Sequence, residues 1–521
     1  MSAASDTAPD DQSVTFDTAG LSFASGEARP FGDPTPAGSP GLLASDAGPG
    51  LRPSQTEYSS LLDGDVSGSG DASQAGQKFS DVYDFESDLQ ERLDATSTIF
   101  NDENIVPSDS TLRVAEGVAR MRFSVFNLVN TIVGGGLLSL LFAMRLLGIV
   151  LGPMALAVVC VGSIFSLHLL TECGELALLK SRASYSVLAR LALGRIGLLY
   201  SDICMILSCF GVATSYLVIF GDTIAPLIAS SDPTSGGMSF TTTHRMLVGC
   251  ALLVVLPLSS LRHLNALRHF SLFAITASLF FIVCVVVRSV QEMVTVGFTD
   301  CATTTAGCPE YFNTNPSQML SAIPLICFAF TCQMNFFSTY GEMKLPNTRR
   351  IHKVINRAMI VAISVYLVAS VFGYLHFRAD ILSNILLNYP ADDMLLLFGR
   401  IAIAIEILLG APMAVHPLLA TLDRLLFPDK EFSWTRRIIS LLVVFSLAVT
   451  LAMTVADIGF LFGLTGATAS TSIAFILPAL FYIRLSSNQP LWKGKRLAAL
   501  VLAVVGVALS IAATVATIME K

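Results

Sequence analysis

Asn130-Thr131-Ile132-Val133-Gly134-Gly135-Gly136 sits in the middle of a long apolar run, Phe123 to Leu151. Each glycine costs about 1 kcal/mol relative to alanine in a helix interior, so three in succession break the helix that the run would otherwise form. Hydrocarbon tolerates unpaired backbone groups only where they line a cavity in the protein. A break at bilayer depth is therefore read as a binding site, whose freed amides and carbonyls hold a zwitterionic solute or an ion. Pro324 interrupts a second run, Ile323 to Asn335, which also contains Phe328, Phe330 and Thr331. Glu406 stands in a third, Ile401 to Leu409, and Gly410 follows one helical turn later on the same face. An acid inside a membrane span is costly and marks a functional site by default. No phosphate loop, metal-ligand spacing or nucleophile elbow accompanies these residues, so neither an enzyme nor a metal site is expected.

The elements that must position these residues are helices. The chain of 521 residues is 53% hydrophobic and 14% charged, with a mean hydropathy of +0.66, which describes a polytopic membrane protein. Apolar runs suited to membrane helices fall at 123–146, 149–171, 201–228, 246–260, 270–290, 318–341, 354–376, 394–420, 437–456, 458–483 and 497–518. Of these eleven spans the fourth is short, and only Asp457-Ile458-Gly459 divides the ninth from the tenth. The first and the sixth, five apart, each carry a breaker. Corresponding interrupted helices in two halves are the best sequence pointer to a site at the bilayer midplane. The competing reading is a pair of kinked helices packed closely through small residues.

The net charge of -7 hides two opposed parts, with 21 acidic and 6 basic side chains in residues 1–121 and 18 against 26 in the remainder. Residues 1–110 are rich in Ser, Gly, Asp, Ala and Pro and show no sustained period. Such a segment buries too little apolar surface to offset chain entropy, so a disordered acidic tail is expected, ahead of a membrane domain over 120–520. The tail has no charged-then-apolar leader. Within it Tyr58-Ser59-Ser60-Leu61 follows the tyrosine-x-x-bulky pattern of a sorting signal, a match short enough to arise by chance. Lys and Arg concentrate in alternate loops, among them Arg113, Arg120 and Arg122 before the first span and Lys344, Arg349, Arg350 and Lys353 after the sixth. The N-terminus is accordingly expected in the cytoplasm. Eight of the ten cysteines lie in apolar segments, as small buried hydrophobes do. Cys301 and Cys308 fall in a polar loop that the same rule places on the exoplasmic side, where they are close enough in sequence to form a disulfide.

The segment from Ser124 to Met144, with Asn130, the Ile132-Val133-Gly134-Gly135-Gly136 break and the Phe142-Ala143-Met144 turn, resembles the first helix of the amino acid/auxin permease family. It looks most like the sodium-coupled neutral amino acid transporter branch. The run from Ile323 to Asn335 is similar to the family's Pro-x-x-x-Phe-Ala-Phe-x-Cys-His, with Gln333 where many relatives have histidine. Ser215-Tyr216-Leu217 with Asp222 in span three, and Arg400 with Pro412 and Pro417 in span eight, extend the resemblance over about residues 120 to 485. It implies an all-α polytopic membrane protein in which two sets of five helices form an inverted repeat, spans one and six are broken, and an eleventh helix is added. It also implies secondary active transport of amino acids by alternating access, with no cofactor and with H+ or Na+ as the coupling ion.

In such a site the amides of Val133 to Gly136, at the positive end of the following half-helix, hold the substrate carboxylate. Carbonyls from Asn130 to Ile132, including Thr131, and from Phe328 to Thr331 hold the ammonium. Tyr216 and Phe330 are candidate lids over the site, with core packing as the alternative for each. The chain departs from the resemblance at the ion. Sodium-coupled members carry a hydroxyl on span eight two residues before the proline, where this chain has Gly410 before Ala411-Pro412. Asn130 remains, yet hard cations are bound by oxygens, and a ligand is lost. Glu406, one turn earlier, is a candidate proton carrier. Two rivals stand beside that reading: a structural pair with Arg400 or Arg145, and recognition of a cationic substrate. His168 and His416 are weighed as proton relays against ordinary packing.

A second class of function is a non-transporting amino acid sensor that signals through the long acidic tail; a channel fits less well, because no ring-forming polar filter is evident. The partners expected are an amino acid, the lipid bilayer and a trafficking or regulatory protein on the tail, with no nucleic acid. The plasma membrane and a vacuolar or lysosomal membrane are both compatible with the sequence.

Overall fold

In the computed structural model the described residues are those of 121–519, apart from 135, 178, 180–182, 231–239, 261–269, 297–309, 429, 431, 456, 488–489 and 493. The acidic tail with its Tyr58 to Leu61 motif, the Cys301 and Cys308 pair and Gly135 lie outside them.

The described residues form helices and no strand. In chain order these are α1 (Met121–Ile132), α2 (Gly136–Leu147), α3 (Leu151–Leu176), α4 (Tyr185–Ser230), α5 (Phe240–Ser260), α6 (Phe270–Val296), α7 (Pro316–Ala329) and α8 (Gln333–Gly341). They continue with α9 (Thr348–Phe377), α10 (Met394–Leu426), α11 (Trp434–Thr454), α12 (Ile458–Thr465), α13 (Leu477–Leu485) and α14 (Gly494–Met519). Two π-helical turns, Gly466–Ser470 and Ser472–Ile476, join α12 to α13 within one span. Among the described residues ten helical segments are long and apolar enough to cross a membrane, and α1 with α2, bent by 56° at their junction, makes an eleventh if the pair is one span. This is a multi-pass integral membrane protein.

Local chemistry fixes where several spans begin. Asn315 accepts from the Ser317 amide at 3.2 Å with Pro316 at the first helical position of α7, and Asn347 caps α9 through the Arg349 amide at 3.0 Å. Asp393 caps α10 through the amides of Leu395 and Leu396. These side chains take up amides that a helix start leaves without partners. The narrow divide between the ninth and tenth spans has the same cause: Asp457 accepts from Gly459 N at 2.8 Å and starts α12.

One boundary differs from the sequence expectation. The third span was expected from 201, whereas α4 runs from Tyr185, with an interruption at Gly194, where φ is +68° and ψ is -155°. Helical structure resumes ahead of the apolar run through Arg190, and the non-helical Gly194 beside Arg195, with its positive φ, divides this leading segment from the span proper.

Polar groups near span ends are paired. Arg424 on α10 contacts Asp202 on α4 at 2.6 Å, Lys495 on α14 contacts Glu172 on α3 at 2.6 Å, and His244 on α5 contacts Asp222 on α4 at 3.2 Å. Asn384, between α9 and α10, donates to the same Asp222 at 3.3 Å.

Candidate functional site

The two breaks face one cavity. The sixth span divides into α7 and α8 at Phe330–Cys332, as the first divides between Ile132 and Gly136. Pro324 lies inside α7, so the break falls a full turn beyond the proline. A methyl group built on Gly136 would lie 2.8 Å from Ala329 Cα and 3.0 Å from its Cβ, which is closer than real carbon atoms approach. Only glycine at 136 lets the two broken helices touch at their breaks.

The cavity has a volume of about 160 Å³. Asn130, Thr131, Ile132, Gly134 and Gly136 line it from the first span, and Phe328, Ala329 and Thr331 from the sixth. Tyr216 lines it from α4, and Glu406 with Gly410 from α10. Residues far apart in the sequence are thus brought together around one cavity. A methyl on Gly134 would lie 3.6 Å from Tyr216 Oη and one on Gly410 3.4 Å from Tyr216 Cε2. The Tyr216 ring therefore bridges the space between the glycine break and the eighth span.

Some expected residues are placed differently. Val133 and Phe330 are buried and do not line the cavity; Phe330 packs edge-on against Tyr366 with ring centroids 5.3 Å apart. Core packing, the alternative reading for that ring, is what the geometry holds. Of the amides expected to face a carboxylate, Val133 N donates to Val129 O at 2.7 Å and Gly134 N to Ile132 O at 3.0 Å. Both are spent within the break, which leaves the N-terminal end of α2, starting at Gly136, as the anion-facing end.

Glu406 is buried and accepts from Ser278 on α6, whose Oγ lies 2.9 Å from both Oε1 and Oε2. The structural pair with arginine is not formed. Arg400 donates to the carbonyls of Leu386 at 2.7 Å and Tyr389 at 2.6 Å, and Arg145 donates to Ile381 O at 2.7 Å. Both guanidinium groups are turned to the turns between α9 and α10, whose carbonyls are nearer than the acid. Among the described cavity-lining residues Glu406 is the one carboxyl, and none is Lys, Arg or His. His168 stacks on His352 at 4.2 Å, and neither it nor His416 lines the cavity.

Gly410 supplies no side-chain oxygen, and Met413, Ala414 and Pro417 beside it on α10 supply none either. The side-chain oxygens of the lining come from Asn130, Thr131, Ser208, Tyr216, Thr331, Asn335 and Glu406. Thr131 and Thr331 spend their hydroxyl protons on the carbonyls one turn back, Asn127 O at 3.0 Å and Cys327 O at 2.7 Å. Their oxygen lone pairs remain for a cation.

Sequence reasoning missed Ser278 and Tyr366. Tyr366, on α9, places its hydroxyl 2.5 Å from Ile132 O and 3.0 Å from Ala329 O, so one side chain reaches both breaks. Its only sequence signal is a phenol inside an apolar span, which needs a partner when buried.

Broken helices around a buried, partly polar cavity in a bundle of apolar spans define a membrane carrier rather than an enzyme. A family model described as transmembrane amino acid transporter protein matches residues 117–519, and the chain belongs to that family. It is also 30% identical over 415 residues to the sodium-coupled neutral amino acid symporter 2 of Danio rerio, an alignment covering 75% of this chain and 80% of that relative.

Proposed function

We propose that this protein is a symporter that moves amino acids by alternating access, with the substrate held between the two helix breaks and a proton carried on Glu406. The carboxylate is received at the N-terminal end of α2, which starts at Gly136. The ammonium is received by carbonyls from Asn130 to Ile132 and from Phe328 to Thr331, and Tyr216 closes over the site.

The observation that carries the proton assignment is the pair of 2.9 Å contacts between Ser278 Oγ and the two Glu406 oxygens. A hydroxyl has one proton to donate and lone pairs to accept. That one shared proton is the described hydrogen-bond support of a buried carboxyl, and no Lys, Arg or His stands among the described cavity-lining residues to offset a charge. So sparse a setting suits the neutral acid. Sodium coupling draws support from the name of the Danio rerio relative and from Asn130, Thr131 and Thr331 in the cavity wall, and is weakened by the bare Gly410.

The distribution of Lys and Arg supports a cytoplasmic N-terminus. Residues 1–110 then act as a cytoplasmic segment for trafficking or regulation, and Cys301 and Cys308 face the side where a disulfide is stable. Either a plasma membrane or a vacuolar or lysosomal membrane suits this arrangement.

The test is uptake into proteoliposomes from a panel of twenty labelled amino acids, with sodium and proton gradients imposed separately. The expected result is uptake driven by the proton gradient, with Glu406→Gln losing that drive while keeping exchange of substrate at equal pH. Uptake that follows sodium alone and is unchanged in Glu406→Gln would refute the proton assignment. Absence of uptake and exchange across the whole panel would refute transport itself.

A further inference from the structure

We infer that Tyr366 is the positioning residue of the substrate site: its single hydroxyl holds the two helix breaks in one geometry, so that carbonyls on both sides can meet one ammonium group. The inference rests on the amino acid reading above and adds a residue that does not line the cavity.

In an uninterrupted helix each carbonyl accepts from the amide four residues on. Both breaks remove that amide from the last carbonyl before them. At the first, Ile132 O accepts instead from Gly134 N at 3.0 Å. At the second, Phe330 N turns back to Ile326 O, Thr331 N to Phe328 O, and Cys332 N to the side-chain oxygen of Gln333. None of the next three amides reaches Ala329 O. Tyr366 Oη reaches both places, as a second donor 2.5 Å from Ile132 O and as the described donor 3.0 Å from Ala329 O. The hydroxyl is fully buried, in surroundings where an unpartnered polar group is costly, so it is drawn to these two oxygens.

Geometry makes this more than two separate bonds. One point within hydrogen-bond reach of both oxygens ties the spacing of the breaks to a side chain on a third helix, and Gly136 against Ala329 sets how closely the same two segments approach. Ile132 and Ala329 both line the cavity. A phenol carries one proton, so the two carbonyls share it: Ala329 O keeps a lone pair unspent, while Ile132 O, which also accepts from Gly134 N, holds only part of the hydroxyl proton. A substrate ammonium, with several protons to give, meets one open acceptor and, gathered beside it, a second whose share of that proton it can replace. Phe330 serves the same purpose from behind, its ring meeting that of Tyr366 edge-on at 83°. This gives the buried Phe330 a task that a lid over the cavity would not explain.

The experiment is saturable uptake by wild type, Tyr366→Phe and Phe330→Leu, reconstituted at matched amounts and tested with the same panel of labelled amino acids. Loss of one well-placed hydrogen bond to the site is worth about tenfold. Tyr366→Phe is therefore expected to raise KM about tenfold while maximal uptake per folded molecule stays within about twofold. Phe330→Leu, which keeps the hydroxyl but loosens its ring, is expected to raise KM in the same way by a smaller factor. A residue that merely supports the fold would lower the amount of active protein and leave the KM of the surviving molecules unchanged, so lower maximal uptake at constant KM in Tyr366→Phe overturns the inference. If Tyr366→Phe does not fold, an unchanged KM in Phe330→Leu overturns it. Wild type without saturable uptake of any amino acid refutes the transport reading instead, so the two failures are distinguishable.

Discussion

Gly136→Ala and Gly134→Ala make the same chemical change two residues apart, and the structure assigns them different outcomes. At 136 the new methyl would sit 2.8 Å from Ala329 Cα and 3.0 Å from its Cβ. The obstructing atoms belong to a backbone and its first side-chain carbon, which cannot rotate away, so α2 and α7 must separate. Overpacking of this kind costs about 1–3 kcal/mol, and the higher helix propensity of alanine offsets about 1 kcal/mol of it at most. The net expectation is a loss of up to about 2 kcal/mol. At 134 the methyl would lie 3.6 Å from Tyr216 Oη, an ordinary contact, so stability is unchanged or slightly raised. The assay is thermal unfolding of the detergent-solubilised protein, read as the apparent midpoint for both variants at one heating rate, because large membrane proteins unfold irreversibly. If separation of the breaks is what the cost reflects, Gly136→Ala also loses affinity, by up to about thirtyfold for 2 kcal/mol. Equal midpoints for the two variants, or a Gly136→Ala protein as stable as wild type, would refute the reasoning about close approach.

Ser278→Ala leaves the buried Glu406 carboxyl without its described hydrogen-bond partner and is expected to cost about 1–3 kcal/mol; Ser278→Thr, which keeps the hydroxyl, should unfold near the wild-type temperature in the same melt. Asp393, just before the eighth span, has its carboxyl held below the usual value: desolvation opposes this, but Arg288 at 2.5 Å and the amides of Leu396 and Leu395 outweigh it. A lowered folded-state pKa gives stability above the unfolded value of about 3.9 that is lost as pH falls through the folded one. Asp393→Asn, which still caps α10, should therefore be less stable than wild type at neutral pH, and the difference should close on acidification below about pH 4, as followed by melts across that range. Deletion of residues 1–110 should leave reconstituted uptake intact and change only where the protein resides in cells; a variant that binds amino acid yet loses an amino-acid-dependent cellular output would favour the sensor reading.

The elements were more legible than the contacts because two kinds of information are involved. Spans and breaks follow from local composition: twenty apolar residues must cross, and three glycines or a proline must interrupt. Glu406 and Gly410 share a face because four residues make a turn, and both line the cavity. Arg190 and Arg195 mark the edge of the apolar run, and the helix is interrupted between them at Gly194, yet a leading helical segment from Tyr185 lies ahead of it that the run did not announce. Contacts are set by which way a side chain turns, and the sequence does not record that. Ser278 meets Glu406 across 128 positions and Tyr366 meets Ile132 across 234. Phe330 stands at a break, so proximity suggested a lid, yet its ring turns to Tyr366.

A carrier of this kind needs polar backbone at bilayer depth that is open enough to bind and still satisfied when empty. The glycine triplet supplies the first requirement and was visible at once. The second is met by groups brought from elsewhere: Tyr366 for the carbonyls of Ile132 and Ala329, and Gln333 for the Cys332 amide. Without such partners each break would hold unpaired groups that favour closing the helix again. The broken helices are therefore a property of three spans together, and mutation of the seventh should reach the substrate as surely as mutation of the first.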